Sequence, residues 1–178
     1  MNRLNDLDNL KKAIRNIPDF PRKGIQFKDI TTAIKQHEIF NFVIEHISEH
    51  YSEKAITKVV AIESRGFITG GALAYKLGAG FVPVRKPGKL PAPAYSKTYD
   101  LEYGKDSLEI HKDALDHHDI VLIHDDLLAT GGTVLAVIDL IKYFNIKQVF
   151  ISFIVELDFL KGRQRLSPPY DIYTMVHF

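Results

Sequence analysis

The sequence predicts an α/β protein, a parallel β-sheet flanked by helices, in a single domain spanning residues 1–178. Three observations lead there. Residues 120–123, Ile120-Val-Leu-Ile123, form a short, unbroken apolar run suited to a parallel strand covered on both faces. The segments 58–78 and 120–144 share one design, in which an apolar strand runs into a short polar turn with glycine and then into a helical pattern. Strand and helix patterns alternate through the middle of the chain, which makes the connections right-handed crossovers between parallel strands. At 178 residues and 46% hydrophobic content, the chain is long enough for one well-buried core and short for two.

Taken in order, Leu4, Leu7, Leu10, Ile14 and Ile17 recur at helical spacing and predict an amphipathic helix ending before Pro18. Residues 19–32, punctuated by Pro21 and Gly24, read as irregular but ordered, with Phe20, Ile25, Phe27 and Ile30 as apolar pegs. A second helical stripe over 36–51 carries Ile39, Phe40, Val43, Ile44 and Ile47. Lys58 to Ile62 is a strand, Glu63-Ser-Arg-Gly-Phe67 its exit, and Ile68, Leu73, Ala74 and Leu77 the apolar positions of a helix capped by Gly78. Phe81 to Val84 is another strand. Residues 85–99 then hold three prolines, a glycine and several basic groups, and a connection so long and aperiodic is usually functional. Residues 100–111 alternate weakly around Gly104-Lys-Asp106 and predict a short β-hairpin. The 120–123 strand leads to a helix from Val134 to Phe144, stopped by Asn145. A strand at 147–155, a short helix or turn over 157–166, a break at Ser167-Pro-Pro169 and a last strand at 172–176 complete the chain.

The chemistry concentrates behind the 120–123 strand. Asp125 and Asp126 mark where that strand leaves the core, and Ala129-Thr-Gly-Gly-Thr133 supplies a tight turn into a helix. Gly131 and Gly132 allow close backbone approach, and the first N–H groups of the helix point at whatever sits above them, so an anion fits. The turn lacks the lysine of a P-loop and the spacing of GxGxxG. Two acids beside an anion cradle make sense when the ligand carries both a phosphate and vicinal hydroxyls. A ribose 5-phosphate does: carboxylates accept from its 2′- and 3′-hydroxyls, while turn amides and the Thr130 and Thr133 hydroxyls hold its phosphate. His124, just ahead of the acids, reads as a hydrogen-bonded strand-end histidine rather than a catalyst. Arg65, at the end of the other strand, suits a pyrophosphate through bidentate bonds.

The run of apolar strand, acid pair, two apolar residues and Ala-Thr-Gly-Gly-Thr resembles the phosphoribosyl pyrophosphate (PRPP) motif of the type I phosphoribosyltransferases. Almost the whole chain is similar to the adenine branch of that family. The matching stretches are Phe20-Pro-Arg-Lys-Gly-Ile-Gln-Phe-Lys-Asp-Ile-Thr-Thr32, Glu63 to Phe67, Arg85-Lys-Pro-Gly-Lys-Leu-Pro91, Leu101-Glu-Tyr-Gly-Lys105 and Asp125 to Thr133, with Val155-Glu-Leu157 and Leu160-Lys-Gly-Arg163 resembling the family's tail. The resemblance implies a type I phosphoribosyltransferase fold with a small N-terminal hood, largely residues 1–34, and a flexible β-hairpin flap at about 95–111. It implies PRPP contacts from Ser64, Arg65, Lys89, Asp125, Asp126, Ala129, Thr130, Gly131, Gly132 and Thr133, with a non-proline cis peptide at Glu63–Ser64. For adenine it implies stacking on Phe27, edge readout by the backbone of Gln26 and Lys28, and Leu127 on the other face of the base. Glu102 and Tyr103 fall in the family's catalytic flap, where a closing lid keeps water from an oxocarbenium-like centre and Glu102 bonds N7 of the base. Arg65 joins them as a catalytic group. Arg85 and Lys86 are candidates for pyrophosphate contacts from a neighbouring subunit, which implies a homodimer. Mg²⁺ would arrive with PRPP, with no protein ligand of its own. The products would be AMP and pyrophosphate.

Composition narrows the alternatives. A formal net charge of +1 leaves no surplus of basic groups for general nucleic-acid affinity, and the absence of cysteine excludes disulfides and thiolate chemistry. No apolar run reaches membrane-spanning length and the start lacks a signal-peptide core, so a soluble cytoplasmic protein is expected, with no membrane partner. Two rivals stay open at this stage: an enzyme for another purine such as xanthine or guanine, and a non-catalytic PRPP- or nucleotide-sensing regulator on the same fold.

Overall fold

The computed structural model describes residues 3–100, 104–166 and 170–178, and the chain divides into two compact units, Met1–His46 and Ile47–Phe178. In the first, helix α1 (Arg3–Ala13) stops four residues short of its apolar stripe. Residues Arg15–Pro18 instead form strand β1, antiparallel to β2 (Gln26–Asp29), with Ile17 opposite Phe27. The spacing of Leu4 to Ile17 does not register this, because for the β-branched Ile17 a partner ten residues away, Phe27, decides between helix and strand. Phe20 is no buried peg. It is half exposed and meets the Phe27 ring edge-on at 5.1 Å.

Asp29 closes the short hairpin. Its Oδ1 accepts from the Thr31 N–H at 2.9 Å and from the Thr31 hydroxyl at 2.7 Å, and its Oδ2 pairs with Arg15 at 2.5 Å. These bonds, Thr31 first, hold its pKa down at about 2. Helices α2 (Thr31–Ile34) and α3 (His37–His50) follow, the latter as its stripe predicts, with Val43, Ile44 and Ile47 buried.

The second unit is built on a fully parallel five-stranded sheet in the order β4-β3-β7-β8-β9, from β3 (Lys58–Ile62), β4 (Gly80–Val84), β7 (Ile120–Leu128), β8 (Gln148–Glu156) and β9 (Asp171–His177). Helix α4 (Gly66–Leu77) joins β3 to β4 and ends at Gly78, whose φ of 67° is the left-handed cap that glycine adopts freely. Strands β5 (Ala94–Asp100) and β6 (Lys105–His111) make an antiparallel hairpin. It begins six residues earlier than the weak alternation of 100–111 indicates, since Tyr95 and Tyr99 belong to β5 rather than to the connection. The turn residues 101–103 lie outside the described residues. Helix α5 (Gly132–Ile141) continues as a 3-10 turn to Phe144 and stops at Asn145 (φ 56°). After β8, a 3-10 turn at Asp158–Leu160 and helix α6 (Gly162–Arg165) lead towards β9, the break at 167–169 lying outside the described residues.

Each sheet face has its own cover. Val60, Ile62, Val121 and Ile123 join one core cluster with Val134, Val137 and Ile138 of α5 and Leu108 and Ile110 of β6. The alternate residues Ala61 and His124 meet α4, at Gly70 and Thr69. A methyl group on Gly70 would stand 2.6 Å from the Ala61 Cβ, so glycine sets how closely α4 packs. Ile68, read as a core position, is instead 48% exposed.

Candidate active site

From β3 the chain crosses to β4 on one side, and from β7 it crosses to β8 on the other, so the strand order reverses between β3 and β7. Ligands in open parallel sheets bind in the crevice at such a point, beyond the carboxyl ends of the strands. Pairing between β3 and β7 ends at Ala61 and His124, whereas β7 stays paired with β8 as far as Leu128 and Glu156. The acid pair therefore lies within a strand that has lost one neighbour. It does not mark the strand's end, as the sequence indicates, because pairing to β8 carries the strand past the apolar run.

The two acids stand side by side, the Asp125 Oδ1 accepting the N–H of Asp126 at 2.9 Å. Asp126 is almost fully buried, and its Oδ2 faces the Arg65 Nε at 3.1 Å. Burial raises the pKa of both acids; for Asp125 the charge of Asp126 adds to this, while Arg65 works against the rise. The pair is crowded, desolvated and short of positive charge. Asp125 also lies under the first turn of α4, where a Cβ on Gly66 would stand 2.8 Å from its Oδ1.

Asp125, Leu127, Ala129, Thr130, Gly131 and Thr133 line one hollow. Gly131, with φ of 81°, caps the start of α5, which has no side-chain cap, so its first N–H groups face outward. Below the turn lies a contact that sequence reading missed. Gly162 packs so tightly that a Cβ there would come within 2.0 Å of the Ala129 carbonyl oxygen, and the Arg165 Nη1 donates to the Thr130 carbonyl at 2.9 Å. Only the Leu160-Lys-Gly-Arg163 run hinted at it. A larger hollow, lined by Ile138, Ile141, Lys142, Ile146 and Lys147, flanks the other end of α5 and contains no acid.

The exit of β3 gathers the basic residues. The Glu63–Ser64 peptide is cis, and Ser64 and Arg65 follow directly before α4. Glu63 accepts from the Lys89 Nζ at 2.5 Å, the Lys86 N–H at 2.9 Å and the Arg85 Nε at 3.2 Å. Burial opposes its charge, but these donors prevail and hold its pKa down at about 2. The Lys86 Nζ pairs with Asp106 at 3.0 Å. Arg85, Lys86 and Lys89 thus each pair with an acid of their own chain.

His124 lies mid-strand and fully buried, between the Thr69 hydroxyl at 2.7 Å and the Ser152 hydroxyl at 2.8 Å. Burial drops its pKa to about 3, so it is neutral at ordinary pH. It is hydrogen-bonded, as its setting in the sequence suggests, though by partners that no local pattern reveals. In the first unit, Gln26, Phe27 and Lys28 form most of β2, and the Gln26 Oε1 accepts from Asn16 at 2.6 Å. Glu102 and Tyr103 lie outside the described residues.

The chain is similar to known proteins both in sequence and in structure. The phosphoribosyl transferase domain model matches residues 31–177. An adenine phosphoribosyltransferase from Citrifermentans bemidjiense is 55% identical over 97% of this chain and all of its own. The crystal structure of adenine phosphoribosyltransferase from Rhodothermus marinus superposes with a TM-score of 0.93 at 50% identity, covering 98% of this chain and 99% of that one. The Giardia lamblia enzyme, crystallised with 9-deazaadenine, gives 0.93 at 41% identity, with 97% of each chain covered.

Proposed function

The chain belongs to the phosphoribosyl transferase family and, within it, to the adenine phosphoribosyltransferases, and from this we propose a purine salvage reaction for it. It transfers the 5-phosphoribosyl group of PRPP to N9 of adenine, giving AMP and pyrophosphate. One observation supports this above the others: an adjacent carboxylate pair, its Asp126 buried, adjoins a helix start without a side-chain cap at the switch point of a parallel sheet. An acid pair suited to a diol and a cradle suited to a phosphate meet there, as a ribose 5-phosphate requires.

The roles follow from the donors and acceptors available. The first N–H groups of α5, with Ala129, Thr130, Gly131, Gly132 and Thr133, hold the 5′-phosphate. Asp125 and Asp126 take the ribose hydroxyls, which supply the protons these crowded carboxylates lack, and Asp126 also orients Arg65. Ser64 and Arg65 receive the pyrophosphate and steady its charge as the bond to C1 breaks; Lys89 adds positive charge. Phe27 stacks on adenine, the Gln26 and Lys28 backbone reads its edge, and Leu127 adds an apolar contact. Glu102 and Tyr103 are assigned to the flap on motif alone, Glu102 managing the proton of the ring.

The acids at the site offer only oxygen donors, and two carboxylates face the single guanidinium of Arg65, so a hard cation fits. Mg²⁺, entering with PRPP, would neutralise the departing pyrophosphate, and Asp125 and Asp126 would sense its charge without a ligand role being assigned to them. We further propose a cytoplasmic homodimer in which Arg85 and Lys86 exchange their partners for pyrophosphate across the interface.

Substitution separates the roles. Asp125→Asn combined with Asp126→Asn should raise the Kd for PRPP at least about tenfold, the scale of one lost charged hydrogen bond, measured by calorimetry. Glu102→Gln should leave PRPP binding intact and lower kcat about a hundredfold. Wild-type values in both variants would contradict the assignments.

A further inference from the structure

The turn at residues 129–133 has no basic side chain of its own, yet a guanidinium reaches its backbone from another element. The Arg165 Nη1 donates to the Thr130 carbonyl at 2.9 Å, across 35 positions of sequence. Arg165 ends α6, and α6 is held on both sides. Arg163 binds it to Glu156 of β8 and to Ile172 and Thr174 of β9. Gly162 lies against the turn, its carbonyl oxygen 3.0 Å from where a Cβ on Gly131 would stand. Arg165 therefore pulls on the turn from a fixed base.

It pulls on a peptide with two accessible orientations. Gly131, with φ 81° and ψ −1°, has the backbone of the third residue of a type II turn. Rotating the peptide ahead of it by about 180° gives a type I turn, in which that residue has φ of about −90°. A residue with a Cβ strongly prefers one of the two, but glycine takes either sign of φ. The C=O of Thr130 and the N–H of Gly131 belong to that one trans peptide and point opposite ways. With the carbonyl drawn to Arg165, the N–H faces away from the guanidinium and meets no acceptor among the described residues. Thr130 and Gly131 both line the hollow beside Asp125, where a flipped peptide would offer an anion a carbonyl oxygen instead of a donor. A charged donor on the carbonyl opposes that flip, and it polarises the peptide, which strengthens the N–H on its far side.

We propose that Arg165 is a positioning residue for the 5′-phosphate: it locks the Thr130–Gly131 peptide with its N–H, not its carbonyl oxygen, toward the anion. This rests on the phosphate-turn reading above. Arg165 acts through that peptide, without a bond of its own to the substrate.

Arg165 is exposed, so Arg165→Met removes the guanidinium without opening the core. Ribose 5-phosphate and, separately, pyrophosphate with Mg²⁺ are titrated by calorimetry into the wild type, Arg165→Met and Arg165→Lys. Arg165→Met should weaken ribose 5-phosphate by about threefold to tenfold, the net worth of one hydrogen bond. It should leave pyrophosphate binding unchanged and raise KM for PRPP more than it lowers kcat. Arg165→Lys, which keeps a charged donor, should recover most of the affinity. In heteronuclear NMR, the Gly131 amide should show exchange broadening in Arg165→Met and a single sharp resonance in the wild type. A residue that only supports the fold would weaken both ligands alike and leave Gly131 without exchange. That result, or unchanged ribose 5-phosphate binding in Arg165→Met, overturns the lock. If the wild type itself fails to bind ribose 5-phosphate, the phosphate-turn reading falls and the lock falls with it.

Discussion

Single residues here act through space that cannot give. Gly162 lies against the Ala129 carbonyl, so Gly162→Ala must push the turn at residues 129–133 outward; it should destabilise the protein by about 1–3 kcal/mol, as overpacking does, and, with the phosphate role proposed for that turn, raise KM for PRPP more than it lowers kcat. Thermal unfolding and initial rates check this, and unchanged KM would contradict the buttress. His124 gives a pH signature. An unperturbed imidazole titrates near pH 6.5 and the buried one near 3, so between those values the unfolded chain binds a proton that the folded chain refuses. Its contribution to stability is complete above 6.5 and shrinks as pH falls. Against His124→Gln, which does not titrate, the wild-type advantage from urea curves should be about 2 kcal/mol smaller at pH 5.0 than at 7.5, and a constant difference would contradict it. The acids, Arg65 and the Ala129 to Thr133 turn were legible in the sequence because their chemistry is contiguous. Gly162, Thr69 and Ser152 were not, since their partners lie 28 to 55 positions away.

At the scale of elements, the strongest tie is Arg163. Its guanidinium bonds Glu156 at the end of β8, with a shortest contact of 2.6 Å, and reaches the Ile172 carbonyl at 2.9 Å and the Thr174 hydroxyl at 2.7 Å on β9. Glu156 is buried, so removing the guanidinium strands its charge. Arg163→Met should cost about 2 kcal/mol, below the roughly 3–5 kcal/mol of a fully buried pair because the Arg163 side chain keeps 39% exposure. Adding Glu156→Gln should recover more than half of the loss in denaturant melts, and a double variant no better than the single would contradict this. The strands β3, β4, β8 and β9 were readable as apolar runs and α4 and α5 as stripes with glycine or asparagine stops. The β1–β2 pair and the first half of β5 were not. There, pairing between distant segments outweighs periodicity, and Leu4 to Ile17 carries a helical rhythm that its last residues do not follow.

For the whole molecule, function comes from topology. Crossovers diverging from β3 and β7 open the one crevice that holds Asp125, Asp126 and Arg65 beside the α5 start, and Gly66, Gly131 and Gly162 let backbone close around it. The sheet order is not written in any local stretch, yet alternating strand and helix patterns implied a parallel sheet, and five parallel strands are present. The most direct measurement is pyrophosphate release from PRPP and Mg²⁺, with adenine, guanine, hypoxanthine and xanthine supplied separately. Rapid release with adenine, and at most slight release with the others, is the predicted result. Release favouring another base would contradict the assignment of adenine, and PRPP binding without release on any base would contradict catalysis itself.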